Sequence, residues 1–171
     1  RALAREGAKV AIAYLPGEES DAQETAAAIE SAGSECLKLP GNLEEDGCCD
    51  DLVARTTERF GRLDIVVSNA AYQRRRKSIA DVTDEEFDRT FRTNVYAYFR
   101  LVRAALPHLR PGAAIISTGS ETGIMGSQAL PDYSASKGAI HAFTKTLAQE
   151  LLPRGIRVNA VSPGIIDTPL H

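Results

Sequence analysis

Tyr133 and Lys137 stand four positions apart in the run Tyr-Ser-Ala-Ser-Lys. Near the start of a helix, that spacing puts both side chains on one face. A phenol ordinarily titrates near ~10, so a neighbouring ammonium that favours phenolate could make Tyr133 a proton acceptor nearer neutrality. The same spacing also describes a packed ring and a solvated amine on any amphipathic helix, and alone it does not separate the two. Ser120 adds a second group. It follows the apolar run Ala113–Thr118 and precedes Tyr133 by thirteen positions, where a parallel α/β sheet has its ligand crevice at the carboxyl ends of the strands. A hydroxyl there can donate to a developing alkoxide or carbonyl oxygen. Taken alone, it reads first as a turn residue in a glycine-rich loop.

The elements that must position these groups follow from periodicity and punctuation. Arg1–Glu6 reads as the end of a helix closed by Gly7, and Lys9–Tyr14 as a strand. Helix Glu18–Ala32 ends at Gly33, strand Glu35–Leu39 follows, and helix Glu44–Phe60 ends at Gly61 before strand Leu63–Val67. Thr83-x-x-Glu86 forms a capping box for a long helix reaching Leu106, with Phe87, Phe91, Val95, Tyr98 and Val102 at helical spacing and Pro107 closing it. Then come strand Ala113–Thr118, loop Gly119–Pro131, helix Tyr133–Leu152 and strand Ile156–Val161. Strands alternating with helices of this length imply βαβ crossovers and a parallel sheet. The expectation is one α/β domain over residues 1–171 with no internal repeat.

Bulk composition narrows the classes of partner. The 171 residues carry 20 Lys+Arg against 23 Asp+Glu, a net charge of -3, so no overall positive field attracts nucleic acid or an anionic membrane. No apolar run approaches the ~20 residues that span a bilayer. A small-molecule partner is expected. Three cysteines, Cys36, Cys48 and Cys49, and three scattered histidines form no metal-binding spacing. They read as reduced structural thiols of a cytoplasmic protein and as surface or packed imidazoles. Arg74-Arg-Arg-Lys77 reads as a solvated basic loop.

Taken together, Ser120, Tyr133-Ser-Ala-Ser-Lys137, Asn94, Ser68-Asn69-Ala70-Ala71 and Pro163-Gly164-x-x-x-Thr168 resemble the short-chain dehydrogenase/reductases in order and spacing along the whole chain. Lys38-Leu-Pro-Gly-Asn-Leu, Asn69-Ala-Ala-Tyr-Gln73 and Phe91–Phe99 look like a subgroup related to bacterial glucose- and aldehyde-type dehydrogenases. The resemblance implies a Rossmann-like, doubly wound parallel sheet in three α/β/α layers. It also implies a compact NAD- or NADP-dependent oxidoreductase acting on an alcohol or carbonyl, and a homo-oligomer, tetramers being common in the family. In that family Tyr133 would be general base in oxidation and acid in reduction. Lys137 would lower its pKa and hold the nicotinamide ribose. Ser120 would bind the substrate oxygen, and Asn94 would anchor a water serving Lys137. Pro163, Gly164, Ile166 and Thr168 would hold the nicotinamide carboxamide, while Asn42, Leu43, Asn69 and Ala70 would line the adenosine side.

The chain departs from the family pattern in several places. Ser68 and Ala71 replace an Asn and a Gly, and Asn42 stands where many members have Asp. The phosphate-cradling Gly-rich turn and the first strand are not in the sequence, so a chain shortened at both ends, with unpaired sheet edges, is expected. Gly119-x-x-x-Gly123-x-x-Gly126 does not replace that turn, because it does not open directly into a helix. NAD and NADP are not distinguished: Tyr14 stands at the relevant strand end, and Glu18 and Glu19 would repel a 2′-phosphate. The alternatives are a catalytically inactive fragment or nucleotide-responsive binding protein of the same fold, and a sugar-nucleotide epimerase or dehydratase sharing the Tyr-Lys chemistry.

Overall fold

A computed structural model describes residues 1–166, so Thr168 lies outside the described residues. The chain divides into two compact units, Arg1–Leu63 and Asp64–His171. Among the described residues all sheet pairing is parallel, in one two-stranded and one three-stranded sheet.

The first unit opens with the single helical turn α1 (Ala2–Arg5). It pairs β1 (Val10–Tyr14) with β2 (Cys36–Pro40), Val10 opposite Cys36. The crossover between them is α2 (Glu19–Glu30), which buries Ala22, Ala26 and Ile29 at helical spacing. Helix α3 (Cys48–Phe60) starts later than the expected Glu44. The Asn42 side-chain oxygen accepts the Glu44 N–H at 3.0 Å and the Asn42 carbonyl accepts the Glu45 N–H at 3.0 Å. Gly47, left-handed at φ 80°, breaks the backbone between that turn and the first helical residue, Cys48. Gly61 ends α3 in a left-handed conformation, φ 74°.

The second unit has the sheet order β3 (Ile65–Ser68), β4 (Ala114–Thr118), β5 (Arg157–Val161). Central β4 carries Ile115 at 0% exposure. Among the described residues β1, β2, β3 and β5 each have one ladder neighbour. Helices α4 (Asp84–Phe91) and α5 (Ala97–Ala105) replace the single long helix expected, because Arg92–Tyr96 is a π turn in which the Ala97 N–H reaches back to the Arg92 carbonyl. Only half of the expected capping box forms. Thr83 Oγ1 accepts the Glu86 N–H at 3.2 Å, but the Glu86 carboxylate is drawn off to Tyr72 and Arg76.

The loop after β4 contains the short helix α6 (Thr122–Met125), followed by α7 (Pro131–Leu151). Pro131 sits in the first turn of α7, where its missing N–H costs nothing. Ile140, Leu147 and Leu151 of α7 are buried beside β5, each contributing about 1.5–3 kcal/mol of apolar burial. Among the described residues, no helix is long and apolar enough to cross a membrane.

Candidate active site

Helix periodicity and the end of β4 bring three of the expected residues together. Tyr133 is 7% exposed and Lys137, one turn later on α7, is 1% exposed. The Lys137 Nζ donates to the Thr118 carbonyl at the end of β4, 2.7 Å away, and lies 5.3 Å from the centroid of the Tyr133 ring. Ser120, 8% exposed, accepts two hydrogen bonds at Oγ, from the Thr122 N–H at 3.2 Å and the Thr122 hydroxyl at 3.0 Å. Both donors are supplied by Thr122, so the proton of Ser120 itself is free to point at the Tyr133 phenol, with which its side chain is hydrogen-bonded.

Burial dominates the electrostatics. It pushes the Lys137 amine down from its ordinary 10.5 to about 8. It pushes the Tyr133 phenol above its ordinary value, while the Ser120 hydrogen bond works the other way. The expected depression of the phenol by Lys137 is therefore not what the pair displays. Desolvation disfavours both charged forms, and the amine is turned to the Thr118 carbonyl and the ring face.

Asn94 lies in the π turn at 1% exposure. Its Oδ1 accepts the Tyr72 N–H at 2.7 Å, and its Nδ2 donates to the Tyr72 carbonyl at 3.0 Å and to Ser136 Oγ at 2.9 Å. Both side-chain amide hydrogens are thus taken by protein groups. This is the middle rung of a polar seam between α4–α5 and α7. Thr90 donates to the buried Asp132 carboxylate, and Tyr98 pairs with Thr144 at 3.2 Å. Thr144 in turn pairs with Ser117 of β4 at 2.9 Å. The seam fixes the rotation of α7 and with it the direction of Tyr133 and Lys137.

The remaining expected residues are more scattered. Asn69 Oδ1 accepts the Thr118 hydroxyl at 2.8 Å, which ties the ends of β3 and β4 as expected, and Ala70 is exposed beside it. Pro163 is joined to the Ser120 loop, its carbonyl accepting the Glu121 N–H at 3.1 Å. Gly164 lies against Glu121, where an added Cβ would stand 3.1 Å from Oε2. Ile166 is 53% exposed. Asn42 and Leu43 belong to the first unit, in the turn before α3.

Two readings of charge need correction. Arg76 is not solvated: its side chain is 17% exposed, pairs with Glu86 at 2.9 Å, and its N–H bonds the Ala129 carbonyl at 2.9 Å. Glu86 also accepts the Tyr72 hydroxyl at 2.9 Å. Burial pushes the Glu86 carboxyl up, but Tyr72, Arg76 and Arg74 outweigh it and hold it below the ordinary carboxylate range. Glu19 is likewise not a free repelling charge, since Lys38 and the Tyr14 hydroxyl both bind it. The place of Lys38 on β2, opposite Ile12 of β1, is what brings it near. Gly123, in the middle of the run Gly119-x-x-x-Gly123-x-x-Gly126, presses on α7: an added Cβ would meet the Lys137 carbonyl carbon at 2.6 Å.

The sequence matches, over residues 1–171, the family described as Enoyl-(Acyl carrier protein) reductase. It is 48% identical over 169 residues to the uncharacterized oxidoreductase YhdF of Bacillus subtilis (strain 168), which covers 99% of this chain and 58% of that protein. It is 44% identical over 173 residues to NADPH-dependent aldehyde reductase 1, chloroplastic, of Arabidopsis thaliana, covering 98% of this chain and 60% of that one. A solved structure of a short chain dehydrogenase from Burkholderia cenocepacia J2315 in complex with NADP superposes with TM-score 0.94 at 38% identity. The overlap covers 99% of this chain and 69% of that structure. The chain therefore spans less than two thirds of the length of both named relatives.

Proposed function

The chain belongs to the short-chain dehydrogenase/reductase family, and from that premise we propose that it serves an NAD- or NADP-dependent oxidoreductase interconverting an alcohol and a carbonyl, with Tyr133 as the acid-base group. The observation that carries this reading is the buried Tyr133–Lys137 pair facing the Ser120 hydroxyl at the carboxyl end of β4.

The nicotinamide half of the cofactor fits the residues present. Lys137 is a buried ammonium with three donors, one of which goes to the Thr118 carbonyl, so two remain for ribose hydroxyls. Pro163 and Gly164 are joined to the Ser120 loop, where the carboxamide would lie. When bound, the cofactor supplies or accepts the hydride. The substrate oxygen would take the place of the phenol as partner of the Ser120 proton and lie within reach of the Tyr133 hydroxyl. In reduction, Tyr133 is held protonated by burial and gives its proton to the developing alkoxide. In oxidation it takes the proton back, helped by the positive charge of Lys137. With its pKa near 8, Lys137 can exchange protons close to neutrality. Asn94 acts by holding Ser136, one residue before Lys137, and Tyr72 at fixed positions.

Nicotinamide absorbance with an aldehyde and sugar panel, using NADH and NADPH in turn, tests the reading. Turnover should fall by about 10²–10⁴ in Tyr133→Phe. Turnover that this substitution leaves untouched would remove Tyr133 from the mechanism.

A further inference from the structure

His141 lies one turn beyond Lys137 and two beyond Tyr133, so the three residues share a face of α7. Its Nε2 is 3.0 Å from the Ser120 carbonyl oxygen and 3.5 Å from the Ser120 nitrogen. Only the first contact has good hydrogen-bond length, which assigns the proton to Nε2 and makes the imidazole a donor to that carbonyl. The ring also fills the space beside Gly119. An added Cβ there would stand 2.3 Å from Cε1 and 2.8 Å from Nε2. The φ of Gly119 is not positive, so it is the imidazole, not the backbone, that demands glycine.

Beyond Ser120, Gly123 meets α7 backbone to backbone, with an added Cβ 2.8 Å from the Gly138 nitrogen. Helix α6 packs against α7, and Thr122 ties its first turn back to Ser120. It is four residues long, lacks a side-chain cap, and leaves Ile124 and Met125 exposed at 71% and 83%. Ser120 is thus pinned to the helix that carries Tyr133 from both sides, at His141 and at Gly123. We propose that His141 is a positioning residue, whose Nε2–H bond to the Ser120 carbonyl holds the Ser120 hydroxyl opposite Tyr133. The catalytic consequence rests on the oxidoreductase reading above; the pin itself does not.

The test uses His141→Leu, which removes the donor, and His141→Gln, which returns an amide N–H to the place of Nε2. Gly119→Ala is a third variant that displaces the ring with His141 intact. In hydrogen exchange followed by mass spectrometry, the amides of Gly119–Gly126 should exchange about tenfold faster in His141→Leu and Gly119→Ala, and near the unsubstituted rate in His141→Gln. With substrate, kcat should fall about 10- to 100-fold in His141→Leu while KM for the nicotinamide cofactor holds, and recover in His141→Gln. Adding Ser120→Ala to His141→Leu should cost far less than Ser120→Ala alone, because the two act as one unit. Unchanged exchange in His141→Leu, or an additive double variant, would overturn the proposal. Faster exchange in a protein that turns over no substrate would leave the pin standing and remove the oxidoreductase reading instead.

Discussion

Replacing Lys137 by Met removes an amine that the fold keeps at 1% exposure while retaining an unbranched apolar stem. The drop of its pKa from the ordinary 10.5 to about 8 corresponds to about 3 kcal/mol of discrimination against the ammonium form. Two contacts oppose that penalty, the 2.7 Å bond to the Thr118 carbonyl and the ring of Tyr133 5.3 Å away, so about 3 kcal/mol is a ceiling. Below pH 8 both folded and unfolded chains carry the proton, and the folded state bears the whole penalty. Between pH 8 and 10.5 the unfolded chain holds a proton that the folded chain has released, so stability rises with pH. Above that window it levels off. Urea unfolding of both proteins from pH 7 to 11 isolates the effect. The stability of the unsubstituted protein minus that of Lys137→Met should climb by up to about 3 kcal/mol across the window. A difference that stays flat, or that falls as pH rises, refutes the claim that desolvation governs this amine.

Other perturbations have comparably direct readouts. Asn94→Ala leaves the Tyr72 N–H and carbonyl without their partners, and denaturant unfolding should record about 1–3 kcal/mol of lost stability for each group left unpaired. Gly123→Ala drives a Cβ to 2.6 Å from the Lys137 backbone and should lower stability by about 1–3 kcal/mol. Gly138→Ala, whose Cβ would meet the Gly123 carbonyl oxygen at 3.3 Å, should lower the thermal midpoint less. The Glu86 carboxyl is held below the ordinary range, so its contribution is present above the unfolded carboxylate pKa and disappears as pH falls through the folded one. The stability difference between the unsubstituted protein and Glu86→Gln should therefore shrink on acidification below pH ~4, and a constant difference would mean that Glu86 is not ionically held.

Local chemistry in the sequence was enough for most of the framework. The parallel strands, the crossover helices and the glycine stops at Gly33 and Gly61 depend on periodicity and on positive φ, which neighbouring residues settle among themselves. The shared face of Tyr133 and Lys137 follows from helix geometry alone, and Ser120 from its place after a strand. Tertiary structure decided what these groups are surrounded by. Spacing implied an ammonium that depresses a phenol; burial pushes both groups toward their neutral forms, while the Thr118 carbonyl holds the amine in place. A continuous helix through Asn94 satisfied the local pattern, yet the π turn forms where the Asn94 amide binds Tyr72, 22 residues earlier in the chain, and Ser136, 42 residues later. Arg76 and Glu86, Lys38 and Glu19, and His141 and Ser120 are pairs separated by 10, 19 and 21 positions. No local rule joins them, because a charge or a ring acquires its partner only when separate elements are packed, and that packing is paid for by apolar burial spread over the whole unit.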